Sequence, residues 1–269
     1  MRVIVHLSDV HFGRLHETVV APLLSTITHL RPDLLAVSGD LTQRARRWEF
    51  AAARRFLDAL PFPRLVLPGN HDVPLYNVLT RFLTPLARYK RAITTNLSPV
   101  YRDDEMIVVG VNTARSFTVG EGRINARQSD EIVRTLAGAP PGLIRVVVTH
   151  HPFDLPEGVR EERLVGGAAK AMAKLAAAGA DLFLAGHLHL SHIGHTAARY
   201  KIAGHSALVV QAGTVSTRSR GEQPSFNVLR IERPDISVER LVWDPALEAF
   251  VATAASRYRH THEGWRPTE

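Results

Sequence analysis

The chain has 269 residues, 45% of them hydrophobic and 22% charged, with a formal net charge of +7 and no cysteine. That length suffices for a large layered core in which about three quarters of the unfolded surface is buried, and the composition leaves no room for extensive disorder. Without cysteine there are no disulfides, thiol nucleophiles or Cys-held zinc sites, so any metal must rest on nitrogen and oxygen ligands; the positive charge directs attention to acidic partners such as phosphates, nucleic acid or an anionic membrane surface.

In chain order, short β-branched runs alternate with longer helical patterns. "RVIVHLS" reads as a strand, residues 17–30 as a helix, "DLLAVSG" as a strand, residues 46–60 as a helix and "RLVL" as a strand. The opening apolar run is broken by Asp9 and His11, so it lacks the continuous core of a signal peptide. No segment approaches the ~20 apolar residues of a membrane span, and a cytoplasmic protein is expected. Residues 76–91 carry an apolar stripe of Leu79, Phe82, Leu83 and Leu86 beside Arg81, Arg88, Lys90 and Arg91, with Pro85 inside. This predicts a surface helix packed on the core, the alternative being a basic lid on an anionic lipid or substrate.

Further on come "MIVVGV", a helix over 126–136, "IRVVV", a helix over 166–178 and "DLFLA". From "HIGHTAARYKI" the pattern becomes strands without helices, "ALVVQAG", "FNVLRIE" and "ISVERLVW", which implies an antiparallel finish to a layered α/β core. One domain over residues 1–253 is expected, followed by a polar, basic tail over 254–269 that frays.

The polar residues after the strands are of one kind. The first strand runs into Asp9 and His11, the second into Gly39 and Asp40, the third into Gly69, Asn70, His71 and Asp72; later strands end at His150 and His151, and at Gly186, His187 and His189. Ligands of layered α/β sheets bind beyond the carboxyl ends of the strands, so these loops should converge. Carboxylates, imidazoles and one amide oxygen suit manganese, iron, zinc or cobalt, and are too rich in nitrogen for calcium or magnesium alone. Two such cations against Asp9, Asp40 and a bridging hydroxide leave net positive charge for a phosphate ester. His71, beside such a centre, can donate to a phosphate oxygen or protonate a leaving alkoxide, with a carboxylate to orient it; Asp72 could do this or cap the following turn. The strand before His150 and His151 leaves open which ring points inward.

Asp9-x-His11, Gly39-Asp40, Gly69-Asn70-His71-Asp72, His150 and Gly186-His187-x-His189 together resemble the calcineurin-like metallophosphoesterase superfamily. The resemblance implies an αββα sandwich of two mixed β-sheets flanked by helices. It implies two divalent metals, with Asp9, His11 and His189 on the first, Asn70, His150 and His187 on the second, and Asp40 bridging. His71 would face phosphate and leaving group, held by Asp72. The phrasing "LSDVHFG", "SGDLTQ" and "PGNHDVP" looks most like bacterial cyclic-nucleotide phosphodiesterases. The expected substrate is therefore a 3',5'-cyclic nucleotide or related small phosphodiester, with cleavage of UDP-diacylglucosamine, a nuclease or a non-catalytic scaffold as alternatives. Nucleic acid is not the expected partner. Residues 212–227 interleave Thr214, Ser216 and Thr217 with Arg218 and Arg220, a composition able to grip a second charge on a substrate; an exposed hairpin with solvated arginines is the alternative.

Overall fold

The computed structural model describes residues 1–200, 206–218, 220–261 and 264–268. Along the chain these form β1 (Arg2–Leu7), α1 (Glu17–Leu30), β2 (Leu34–Val37), α2 (Arg47–Asp58) and β3 (Arg64–Val66), then two short helices, α3 (Val78–Leu83) and α4 (Ala87–Ala92). β4 (Val100–Arg102), β5 (Met106–Val111), α5 (Ala126–Ala137), β6 (Ile144–Thr149), α6 (Ala168–Ala177) and β7 (Leu182–Ala185) follow. The last stretch holds β8 (His192–His195), α7 (Thr196–Arg199), β9 (Leu208–Gln211), β10 (Ser225–Glu232), β11 (Asp235–Asp244), β12 (Ala249–Ala252), β13 (Ser256–Thr261) and β14 (Gly264–Thr268).

The strands make two mixed sheets. One has the order β14-β13-β11-β10-β1-β2-β3, with β12 on β11; the other runs β4-β5-β6-β7-β9-β8. β1, β2 and β3 are parallel, as are β5, β6, β7 and β9. The sheets face each other through Ile4, Leu34 and Ala36 on one side and Val146, Val148 and Leu184 on the other. Alternate residues turn outward: Val5, Leu35 and Val37 pack under α1 and α2, and Val147 and Phe183 under α5 and α6. A strand buried on both faces is nearly continuous in apolar residues; the buried His6 of β1 is accommodated by Ser38 Oγ (2.9 Å), and it is the group of polar residues following each run that marks the sheet edge.

Two expectations fail. Residues 76–91 are not one helix: α3 ends at Leu83 and α4 begins at Ala87, because Pro85 has no N–H to give and its ring crowds the preceding turn. The tail does not fray where it is described, since β13 and β14 extend the first sheet, pairing His260 with Trp265 and burying Tyr258 and Trp265. Within "HIGHTAARYKI", from which strands without helices are expected, His192–His195 pairs antiparallel with β9, Thr196–Arg199 is helical, and Lys201 and Ile202 lie outside the described residues.

Candidate dinuclear metal site

The loops leaving β1, β2, β3, β6 and β7 meet at one sheet edge. Asp9 N–H donates to Gly39 O (3.1 Å) and His11 N–H to Asp40 O (2.9 Å), while His187 N–H donates to Asp9 Oδ2 (2.8 Å). Asp9, His11, Asp40, His187 and His189 all take positive φ, from 48° to 73°, a region that non-glycine residues seldom occupy. The loops approach so closely that a Cβ on Gly186 would fall on Ser8 Oγ and Asp9 Oδ2, and one on Gly69 would fall on Asp40.

The imidazoles are oriented from behind. His11 Nδ1 lies 3.4 Å from Thr42 O, His150 Nδ1 2.9 Å from Ser38 O and His189 Nδ1 2.7 Å from Arg218 O. A carbonyl only accepts, so each Nδ1 carries the hydrogen and each Nε2 turns into the cluster. There His189 Nε2 is 3.1 Å from His11 Nε2 and 3.1 Å from Asp9 Oδ1, and His11 Nε2 is 3.6 Å from Asp9 Oδ1. Asp40 Oδ2 stands between the two groups, 3.7 Å from His11 Nε2 and 3.5 Å from His150 Nε2. Asn70 Oδ1 is 3.1 Å from both His150 Nε2 and His187 Nδ1. Donors about 2.1 Å from a shared cation lie roughly 3.0–3.4 Å apart, so both groups suit a divalent ion on nitrogen and oxygen, with Asp40 placed to serve both.

Burial of Asp9 and Asp40 raises their carboxyls, but neighbouring imidazoles outweigh it: His189 and His11 hold Asp9 well below the usual range, and His150 does the same for Asp40. Against burial, Asp40 and Asp9 raise His150 to about 9, and Asp9 raises His189. Burial and His150 lower His187 to about 3. The two carboxylates thus demand positive charge, and a cation would take the place of ring protons.

His150 is the ring that faces Asn70 and Asp40. His151 packs beside it, with Nδ1 2.8 Å from Thr113 Oγ1 and a buried Nε2 that has no hydrogen-bond partner, and it belongs to the same cluster as His150 and His187.

The expected pairing of His71 with Asp72 is corrected. His71 Nδ1 donates to Gln43 O (2.8 Å). Asp72, fully buried, accepts from the backbone N–H groups of Leu41, Thr42 and Gly69 and from Thr42 Oγ1. In the 3-10 turn Asn70–Asp72 the adjacent side chains diverge, so Asp72 ties two loops together while a carbonyl orients His71. Burial and the charge of Asp40 push the Asp72 carboxyl up to about 7.

The loop after β9 folds over this edge. Thr214 Oγ1 donates to Asp9 O (2.6 Å), and Arg218 Nη1 donates to His71 Nε2 (2.8 Å). The cluster lies at a pocket whose wall carries Arg44, Arg163, Arg218 and Arg220. Arg163 is not singled out by the sequence. Arg44 follows the Gly39-Asp40 motif closely, with its N–H held by Glu49 Oε2 (2.8 Å), whereas nothing local to Arg163 marks it.

A profile of calcineurin-like phosphoesterases matches residues 2–191. The chain belongs to the calcineurin-like phosphoesterase family. Its sheets superpose on a dimetal phosphatase from Danio rerio with a TM-score of 0.66 at 12% identity, over 93% of this chain and 98% of that one, a likeness of fold. Two proteins resemble this chain locally. Glycerophosphodiester phosphodiesterase GpdQ of Enterobacter lignolyticus (strain SCF1) is 37% identical over 78 residues, covering 25% of this chain and 28% of that protein. A probable cyclic nucleotide phosphodiesterase of Vesicomyosocius okutanii subsp. Calyptogena okutanii (strain HA) is 34% identical over 50 residues, covering 19% and 22%. The chain therefore spans less than a third of either relative. Among the described residues, no helix is long and apolar enough to cross a membrane.

Proposed function

We propose that this chain is a dinuclear-metal phosphodiesterase acting on a small phosphodiester, such as a 3',5'-cyclic nucleotide or a glycerophosphodiester. The observation that carries the reading is Asp40, whose carboxylate stands between the Asp9–His11–His189 group and the Asn70–His150–His187 group. Two divalent cations held there would supply charge neutralisation for a phosphate and an activated water.

The chain's own residues do the rest. His71 Nε2, the ring nitrogen not engaged by Gln43 O, faces the pocket, where it accepts from Arg218; with Arg218 turned to the substrate it can hold the proton that a departing alkoxide needs. Arg218, in contact with that nitrogen, presents guanidinium donors to a non-bridging oxygen. The names of the two local relatives support a diester over a monoester. Arg44, Arg163 and Arg220 around the same pocket favour a second reading, a substrate with a further anionic group, such as the pyrophosphate of a UDP-linked lipid. Purified protein supplied with manganese, iron, zinc or cobalt should hydrolyse bis-p-nitrophenyl phosphate, and then cyclic nucleotides, glycerophosphodiesters and pyrophosphates in an order that assigns the substrate. Two bound metals without hydrolysis of any phosphoester would refute the reading.

A further inference from the structure

Among the described residues, most of the exposed large apolar side chains gather on one rim. Tyr76 and Leu79 are 75% and 72% exposed, with Val78 and Leu83 close to those values. From the loop after β5, Phe117 and Val119 are 85% and 72% exposed, and the Phe117 ring lies 5.4 Å from that of Phe82. The buried Arg81 guanidinium joins the two segments, donating Nη1 to Pro74 O and Nη2 to Thr118 O. The rim borders the catalytic pocket, since Leu75, Arg81 and Val119 line that pocket as well.

Single exposed apolar residues are ordinary, but a contiguous group beside a site marks an interaction surface. Its charge selects the partner. From Val73 to Tyr101 the sequence contains Arg81, Arg88, Lys90 and Arg91 and no Asp or Glu. Arg44 lies over the Tyr76 ring, 5.5 Å from its centroid, and Arg163 and Arg220 stand at the pocket. Side chains this exposed project from the surface, with Arg44 against Tyr76 and Arg163 and Arg220 at the adjoining pocket. Apolar projections enter the acyl boundary of a bilayer while neighbouring cations meet headgroup phosphates.

We propose that α3 and the loop 115–120 seat the protein on an anionic lipid surface, with the pocket held at headgroup level. That the phosphoester of a lipid headgroup is then the substrate rests on the phosphodiesterase reading; the docking does not.

The test is co-sedimentation of the full chain with phosphatidylcholine vesicles, with and without about 30% phosphatidylglycerol. Binding should be at least about tenfold stronger to the anionic vesicles, weaken with salt, and fall about tenfold in the Leu79→Ser/Leu83→Ser double variant. Both positions are exposed and outside the pocket, so thermal unfolding and hydrolysis of a soluble chromogenic diester should match the parent. No binding of the parent to anionic vesicles, or equal binding of the double variant, overturns the proposal. So does a micromolar dimer that the double variant dissociates, which would make a second copy the occupant. Vesicle binding without diester hydrolysis would refute the enzymatic reading and leave the docking standing.

Discussion

Replacing His71 by Ala should separate chemistry from metal binding. The ring is held through Nδ1 by Gln43 O and meets Arg218 through Nε2; it is the His71 backbone N–H, which Ala keeps, that donates to Asp40 Oδ1 (2.7 Å). The candidate metal ligands therefore keep their supports, and both cations should remain. Loss of a positioned acid costs about 10²–10⁴ in kcat, or roughly 3–5 kcal/mol of transition-state stabilisation. That full cost should appear for an alkoxide leaving group. For p-nitrophenolate, which leaves without a proton, only the interaction with phosphate oxygen is lost, about tenfold or ~1.4 kcal/mol. The assay is kcat for a glycerophosphodiester and for bis-p-nitrophenyl phosphate, with elemental analysis of the same preparations. Equal losses on both substrates would refute proton donation by His71, and loss of metal would make His71 a ligand.

Asp40→Ala removes the carboxylate that serves both groups, so elemental analysis should find neither metal at stoichiometric occupancy and activity should collapse; two retained metals with normal turnover would contradict the bridging role. Arg220→Ala should raise KM about tenfold for a pyrophosphate substrate and by much less for a mono-anionic diester, since Arg220 lines the pocket while it is Arg218 that contacts the His71 imidazole; equal effects on both would remove the second-charge reading. His6, fully buried, is lowered to about 3 by burial, so between pH 6.5 and 3 the unfolded chain binds a proton that the folded chain does not, and stability falls as the pH is lowered through that window. In metal-stripped protein, His6→Gln should flatten the slope of unfolding free energy by up to about 1.4 kcal/mol per pH unit, measured by urea denaturation from pH 4 to 6; an unchanged slope would refute it.

The strand ends are legible because strands covered on both faces are nearly all apolar, so Asp9, Asp40, Asn70, His150 and His187 stand out against Leu7, Val37, Leu67, Val148 and Ala185, even with His6 inside β1. What was misread follows from competing local signals. The stripe Leu79, Phe82, Leu83, Leu86 has helical spacing, and it outweighed Pro85; in the structure Leu79 and Leu83 are exposed and Leu86 is buried on the other side of the break. In the tail, polar composition concealed an alternation that buries Tyr258 and Trp265. The family resemblance implies Asp72 as the support of His71, whereas the orienting acceptor is the carbonyl of Gln43, a backbone atom that no side-chain pattern announces. Arg163 reaches the pocket from a 3-10 turn far along the chain, and only tertiary packing reveals it.

The two-residue spacing of Asp9-x-His11 and His187-x-His189 has a physical cause beyond reach to a common ion. In both, the outer residues take positive φ, while the middle residue, Val10 or Leu188, is buried at 0% and 1% exposure. The apolar side chain anchors the loop in the core and the two flanking side chains turn together toward the cluster. Sparsely populated backbone of this kind costs on the order of 1–3 kcal/mol per residue, and five candidate ligands adopt it. The sum approaches the entire net stability of a typical domain, about 5–15 kcal/mol. Such strain persists only where the surroundings over-determine it, and here they do: Asp9 N–H is held by Gly39 O, His11 N–H by Asp40 O, His187 N–H by Asp9 Oδ2, and Asp9 O by Thr214. Each of these bonds runs between two different ligand-bearing loops or from the β9–β10 loop to one of them. Displacing any one loop therefore releases strain in the others, and the candidate ligand set is kept or lost as a unit.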